Sequence, residues 1–218
     1  DEALLIRQRI VSTTRSTVIL GGGVDTSRFA PSKRPNRKRP VVLIMVSRLL
    51  TDKGVAEYAE AARILREEGS KAEFWHVGGE DPGSLVSVLP QDLVRYSRWV
   101  DFKGHREDVA ELLNDADIAV LPSHHEGMPR FLLEAASSGL PIIASAVGGC
   151  QYIVRDGENG YLTPVSDPLQ LAQRIRSLVD DPSLRQEMGA KSREIAVSEF
   201  SEGHITEQYL QIYRQALG

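Results

Sequence analysis

The sequence predicts an α/β fold, a doubly wound parallel sheet of about six strands. Three observations predict it. Residues 41–46, VVLIMV, form a continuous apolar run, as a strand covered on both faces requires. Residues 53–66 carry apolar side chains at 55, 58, 59, 62 and 65, a helical stripe. Beyond them, short apolar runs alternate with helical patterns, as βαβ units do.

The elements follow in order. Residues 3–10 fit a short amphipathic helix, and 16–20 (STVIL) a strand. GGGVDTSRF then needs a turn or a close backbone approach at its glycines. APSKRPNRKRP (30–40) has the composition of a linker. Its basic residues are either solvated or face an anionic surface. The resulting division is residues 1–30 as an appended remnant, 31–40 as linker and 41–218 as the sheet domain. Strands are expected over 41–46, 72–79, 99–104, 117–122, 141–145 and about 160–162. Helices are expected over 53–66, 84–97, 107–113 and 130–138, then about 167–179, 183–199 and 201–216. Pro168 and Pro182 fall in first turns, where proline is tolerated.

Hydrophobic residues at 41 % and charged residues at 26 % exclude global disorder. A net charge of −4 offers nothing to nucleic acid. The single Cys150 excludes an internal disulfide and an all-cysteine zinc site. It fits a reducing compartment and reads as a packing residue. No apolar run approaches the about 18 residues of a membrane span. The start, DEALLIRQRI, lacks Met and reads as the middle of a longer protein.

Parallel sheets bind ligands beyond the carboxyl ends of their strands. There the first strand is followed by SRLLTDKG, placing Arg48 and Lys53 before Gly54 and a helix start. They are either solvated surface cations or, with the helix N-terminus, a phosphate clamp. HVGGEDPGS after the second strand lacks the GxGxxG spacing, so an NAD site is discounted, and His76 reads as packing. In FKGHREDV, Gly104 permits close approach and Asp108 can cap the next helix. Gly148 and Gly149 read as a flexible loop.

The fourth strand is followed by EGMPRFLLE (126–134). Glu126 lies in a loop. Pro129 opens a helix, leaving N–H groups near Arg130 and Phe131 free. Glu134 lies one turn in, and helical side chains lean toward the N-terminus, so it points back at the crevice. Carboxylates accept hydroxyl hydrogen bonds while the cations take phosphates, which suits a nucleotide sugar.

These stretches carry a resemblance. GGGVDTSRF, VSRLLTDKG, residues 102–145, VGGCQYIV and DGENGYL closely resemble the donor-binding half of the family 4 retaining glycosyltransferases. That family has the GT-B fold of two Rossmann-like domains. The similarity runs from about residue 21 to about 178. It implies that Arg48 and Lys53 bind the donor diphosphate, with Gly54 beside them. Glu134 holds ribose hydroxyls, and Glu126 is the catalytic residue, contacting the transferred sugar near its reacting carbon. The backbone of Gly127, Met128, Pro129, Arg130 and Phe131 approaches sugar and phosphate, and His105 lies near the base. Gly22, Gly23 and Asp25 belong to the interdomain loop. Family members often have Asn or Ser where Gly22 stands. His124 and His125 stand where the family varies, and no role is assigned to them.

The resemblance further implies transfer of a sugar from a nucleoside diphosphate sugar, UDP-hexose or UDP-N-acetylhexosamine by default, to an acceptor hydroxyl with retention. It implies no cofactor and no metal. The acceptor, a sugar or lipid-linked sugar of surface polysaccharide or glycolipid assembly, is expected on an N-terminal domain absent from this sequence. This half alone is then weakly active or inactive. The longer protein is expected in the cytoplasm, peripherally held at the inner membrane face. The rival readings are a sugar-nucleotide epimerase, a phosphorylase, or a non-catalytic nucleotide-sugar-binding module.

Overall fold

In the computed structural model, residues 7–8, 17–32, 39–81 and 83–217 are described. The helix expected over 3–10 and most of the linker lie outside them. Six parallel strands form one sheet in the order β3-β2-β1-β4-β5-β6. They are β1 (Val42–Val46), β2 (Glu73–Val77), β3 (Asp101–Phe102), β4 (Ile118–Leu121), β5 (Ile142–Ser145) and β6 (Gly160–Thr163). The helices are α1 (Val55–Glu67), α2 (Pro90–Tyr96), α3 (Val109–Asp115), α4 (Arg130–Ser137), α5 (Cys150–Ile153), α6 (Pro168–Asp180), α7 (Pro182–Glu199) and α8 (Glu202–Leu217). This is the Rossmann-like α/β fold expected of one half of a GT-B enzyme.

Alternation along each strand builds two cores. Leu43, Met45, Phe74, Ile118, Val120 and Ile143 pack under α1 and α6. Ile44, Val77, Ala119, Leu121, Ile142 and Ala144 pack under α4 and α7. Both faces are therefore covered, which is why β1, β4 and β5 carry no polar alternation. Each large aliphatic side chain so buried contributes about 1.5–3 kcal/mol. Among the described residues, no helix is long and apolar enough to cross a membrane.

Strand order reverses between β1 and β4. The chain leaving β1 enters α1 on one face, and the chain leaving β4 enters α4 on the other. The two connections diverge and leave a crevice between them.

Several expectations need correction. Residues 17–20 form no strand, since no neighbouring strand pairs with them. Residues 21–32 do not stand apart: Val24 and Phe29 are buried in the core, and Val24 bridges Ser201. The helix expected from 84 starts at Pro90, because Thr51 N donates to Val86 O and Val88 N to Leu49 O. The third strand shrinks to two residues. The stretch read as one helix from 53 is a 3₁₀ turn (Thr51–Lys53), a left-handed Gly54 and then α1. Helix α5 arises where a loop was expected. Asp108 precedes α3 but its carboxylate pairs with Arg106 instead of capping. Pro168 and Pro182 do open α6 and α7, each after a capping aspartate, Asp167 and Asp181.

Candidate functional site

The crevice is assembled by close backbone approach. Gly54 has φ 76°, and a Cβ there would lie 2.1 Å from the Pro122 carbonyl oxygen. Only glycine lets the β1 turn lie against the end of β4. Hydrogen bonds then join the two connections. His124 N donates to Asp52 O at 2.7 Å, and Ser123 Oγ to the same oxygen at 3.0 Å. His124 Nε2 meets Glu57 Oε1 at 2.8 Å.

This juxtaposition brings Lys53 to Glu126, Nζ to Oε1 at 2.8 Å, with side chains 16 % and 13 % exposed. Lys53 Nζ also reaches His125 O at 3.5 Å. Such a pair at a crevice floor is strengthened by poor solvation, and each charge depends on the other. The loop carrying Glu126 is fixed from the β5 side as well. Gly149 N donates to Glu126 O at 3.0 Å. A Cβ on Gly149 would lie 1.8 Å from Gly127 O. Gly148 and Gly149 are thus a packing surface for the Glu126 loop, not the flexible loop expected.

Pro129 is the residue before α4, and no side chain caps that helix. The first-turn N–H groups near Arg130 and Phe131 accordingly remain available to an anion. Phe131 turns into the core. Glu134 is 15 % exposed, and its near charge is Arg130 at 3.6 Å. Burial raises its pKa above the ordinary carboxylate value, against the charges of Arg130 and Arg28. Among the described residues, no hydrogen-bond donor meets this carboxylate. It is a half-buried acceptor near the start of α4.

The remaining expected site residues are less tightly drawn in. Arg48 is 62 % exposed and pairs with Asp81 after β2, and no contact links it to Lys53 or Glu126. His105 is exposed near Gly79. A Cβ on Gly21 would meet Met128 Cγ at 2.8 Å, so the loop before the sheet domain touches the EGMP loop. Gly23 packs against Glu202, while Gly22 faces open space. Asp25 Oδ1 accepts from Ser27 N and Arg28 N, which holds its pKa below the ordinary value.

Beneath the crevice, His76 is fully buried, with Nε2 3.1 Å from Ser47 Oγ. Burial pushes its pKa down to about 4, so it is neutral. Burial pushes the Cys150 thiol up to about 12, which suits packing and not nucleophilic attack. Among the described residues, no group of His, Cys, Asp and Glu side chains is arranged to hold a metal ion.

Sequence reasoning missed Glu57, Asp81 and His124. Glu57 stands in the first turn of α1, while Glu134 stands one turn into α4. A related signal, an acid near the start of a helix that follows a strand end, points to it.

The sequence model described as glycosyl transferases group 1 matches residues 27–195. An α-1,3-N-acetylgalactosaminyltransferase of Campylobacter jejuni, named for N,N'-diacetylbacillosaminyl-diphospho-undecaprenol, is 33 % identical over 180 residues, covering 83 % of this chain and 46 % of that protein. A glycogen synthase of Mycobacterium tuberculosis is 31 % identical over 200 residues, covering 91 % of this chain and 48 % of that one. A sucrose-phosphate synthase structure from Thermosynechococcus elongatus superimposes with a TM-score of 0.83 at 29 % identity, covering 99 % of this chain and 56 % of that one. The chain spans about half the length of the curated relatives it matches. With the match running from Ser27 through most of α7, the chain belongs to the glycosyl transferases group 1 family.

Proposed function

We propose that this chain is the C-terminal, donor-binding half of a family 4 retaining glycosyltransferase. In this division, residues 1–30 carry the tail of an acceptor-binding domain and an interdomain loop that packs on the sheet domain through Val24 and Phe29, 31–40 link, and 41–218 bind the nucleotide sugar. The observation that carries the reading is the Lys53–Glu126 pair, set between β1 and β4 beside the uncapped start of α4.

In the reaction, the bond between the anomeric carbon and the donor diphosphate breaks. An acceptor hydroxyl oxygen bonds to that carbon on the same face, and its proton goes to the oxygen of the departing diphosphate. Negative charge grows on the leaving diphosphate. Lys53, the backbone N–H groups of Gly127, Met128, Arg130 and Phe131, and Arg48, released from Asp81, stabilise that charge. Glu126 orients the sugar and offsets positive charge developing at the ring. Glu134 accepts hydrogen bonds from the ribose hydroxyls, which supply the donors its carboxylate lacks. No metal is needed for the leaving group in this scheme, since two cations and the start of α4 take up its charge. His105 and its loop border the base.

The donor is a UDP-hexose or UDP-N-acetylhexosamine. The acceptor is a sugar, lipid-linked in surface polysaccharide or glycolipid assembly, and the relative named for an undecaprenol-linked sugar supports that choice. Such an acceptor places the longer protein in the cytoplasm, peripherally at the inner membrane face. A thermal-shift panel of UDP-, GDP- and ADP-sugars on the chain tests the donor, and transfer assays on the longer protein test the reaction. UDP-sugars should raise the melting temperature. Isomerised donor or phosphorolysis in place of transfer would favour an epimerase or a phosphorylase.

A further inference from the structure

We infer that Glu57 and His124 form a positioning pair that holds the Glu126 loop against the Lys53 turn. As a consequence for donor binding this rests on the reading above; as a mechanical statement it rests on geometry alone. Glu57 sits in the first turn of α1 and His124 two residues before Glu126. Their side chains meet at 2.8 Å, Nε2 to Oε1. A carboxylate oxygen only accepts, so Nε2 carries the proton and donates. The His124 and Glu57 side chains are 30 % and 14 % exposed, so the bond is partly shielded from water.

Three further bonds share the same joint. His124 N and Ser123 Oγ both donate to Asp52 O, and Ser123 Oγ also reaches His125 O at 3.2 Å. Ser123 is fully buried. Asp52 is the residue before Lys53. The loop residues 123–125 therefore dock on the turn that aims Lys53, and Glu126 follows them into its ion pair. Glu57 Oε2 is buried without a partner among the described residues. Removing the imidazole leaves the whole carboxylate uncompensated on that side. Neither Glu57 nor His124 touches the substrate in this scheme; they act through Lys53 and Glu126.

Amide hydrogen exchange on the 218-residue chain tests the clamp without any ligand. His124→Phe and Glu57→Leu should speed exchange across 123–128 by about tenfold or more. Exchange in β1 and β5 should stay slow, which certifies that each variant is folded. His124→Gln keeps an N–H donor at a similar reach and should restore protection to within about threefold. Calorimetric titration with UDP should show His124→Phe weakened by about tenfold and His124→Gln close to the parent. Unchanged exchange at 123–128 in His124→Phe overturns the inference, as does faster exchange with UDP affinity unaltered. A parent chain that binds no UDP-, GDP- or ADP-sugar contradicts the donor reading instead, and the exchange result still decides the clamp.

Discussion

The two ends of the sheet make an instructive pair. At the amino ends of β1, β4 and β5 lies a cavity of about 930 Å³ lined by Arg39, Arg185 and Arg193. Arg39 forks onto Asp117 at 2.8 and 3.2 Å. Arg185 donates to the Leu178 and Val179 carbonyls that end α6. Arg193 donates to the carbonyls of Thr26, Phe29 and Ser137. Its guanidinium ties residues 26–29 and the end of α4 to α7, a structural task. The crevice at the carboxyl ends is different. Arg48 stands 62 % exposed against one carboxylate, Glu134 is half-buried with only the Arg130 guanidinium near it at 3.6 Å among the described residues, and α4 begins uncapped. A cavity of that volume would draw attention to the amino ends. Polar groups whose bonding is incomplete, gathered where strand order reverses, point to the other.

The contrast can be broken most forcefully at Lys53. Lys53→Ala leaves Glu126 with no partner, and we expect a loss of up to about 3–5 kcal/mol in urea unfolding together with loss of nucleotide binding. Lys53→Met combined with Glu126→Leu should recover most of that stability and none of the binding. Recovered binding in the double variant would remove the pair from the site.

His76 separates folding from binding by pH. An unfolded histidine takes a proton below about its ordinary 6.5, and the buried one only near 4. The unfolded state therefore binds more protons across that window, and stability falls as pH drops through it. The expected loss is on the order of 3 kcal/mol by pH 4, absent in His76→Phe. An equal acid loss in that variant would assign the effect to other groups.

The arginines of the two ends should behave oppositely. Arg48→Ala should weaken nucleoside diphosphate binding by about 1.5–3 kcal/mol in calorimetry and change stability by less than about 1 kcal/mol. Arg193→Ala should cost about 1–3 kcal/mol of stability and leave binding unaltered. Reversed results would exchange the roles of the two ends. The smallest effect sharpens the account. Because burial raises the pKa of Glu134, its ionised form disfavours the fold at neutral pH, and that cost fades as pH falls below the raised value. Glu134→Gln should hold or slightly raise the melting temperature while binding of ribose-containing ligands drops. A lowered melting temperature with intact affinity would make Glu134 structural.

Much of this was legible in the sequence because it depends on short-range pattern. VVLIMV, DIAVLP and PIIAS are buried on both faces and carry no competing polar period, so β1, β4 and β5 announce themselves. Their ends locate Lys53, Glu126 and Glu134. What escaped depends on contacts between distant segments. His124 finds Glu57 across 67 residues, and Arg48 finds Asp81 across 33. The pairing of 86–88 with 49–51, which displaces the start of α2, is of the same kind. Gly148 and Gly149 looked flexible because glycine permits both looseness and close approach, and only the neighbouring loop decides between them.

The central claim is that the carboxyl-end crevice, and not the cavity at the amino ends, receives the donor. Backbone amide chemical shifts of the chain titrated with UDP test it directly. The account predicts saturable shifts at Arg48, Lys53, Gly54, Gly127, Met128, Phe131 and Glu134, with the amides of Asn114, Gly139 and Gly189 unmoved. Shifts concentrated at Asn114, Gly139 and Gly189, with the crevice silent, would contradict it.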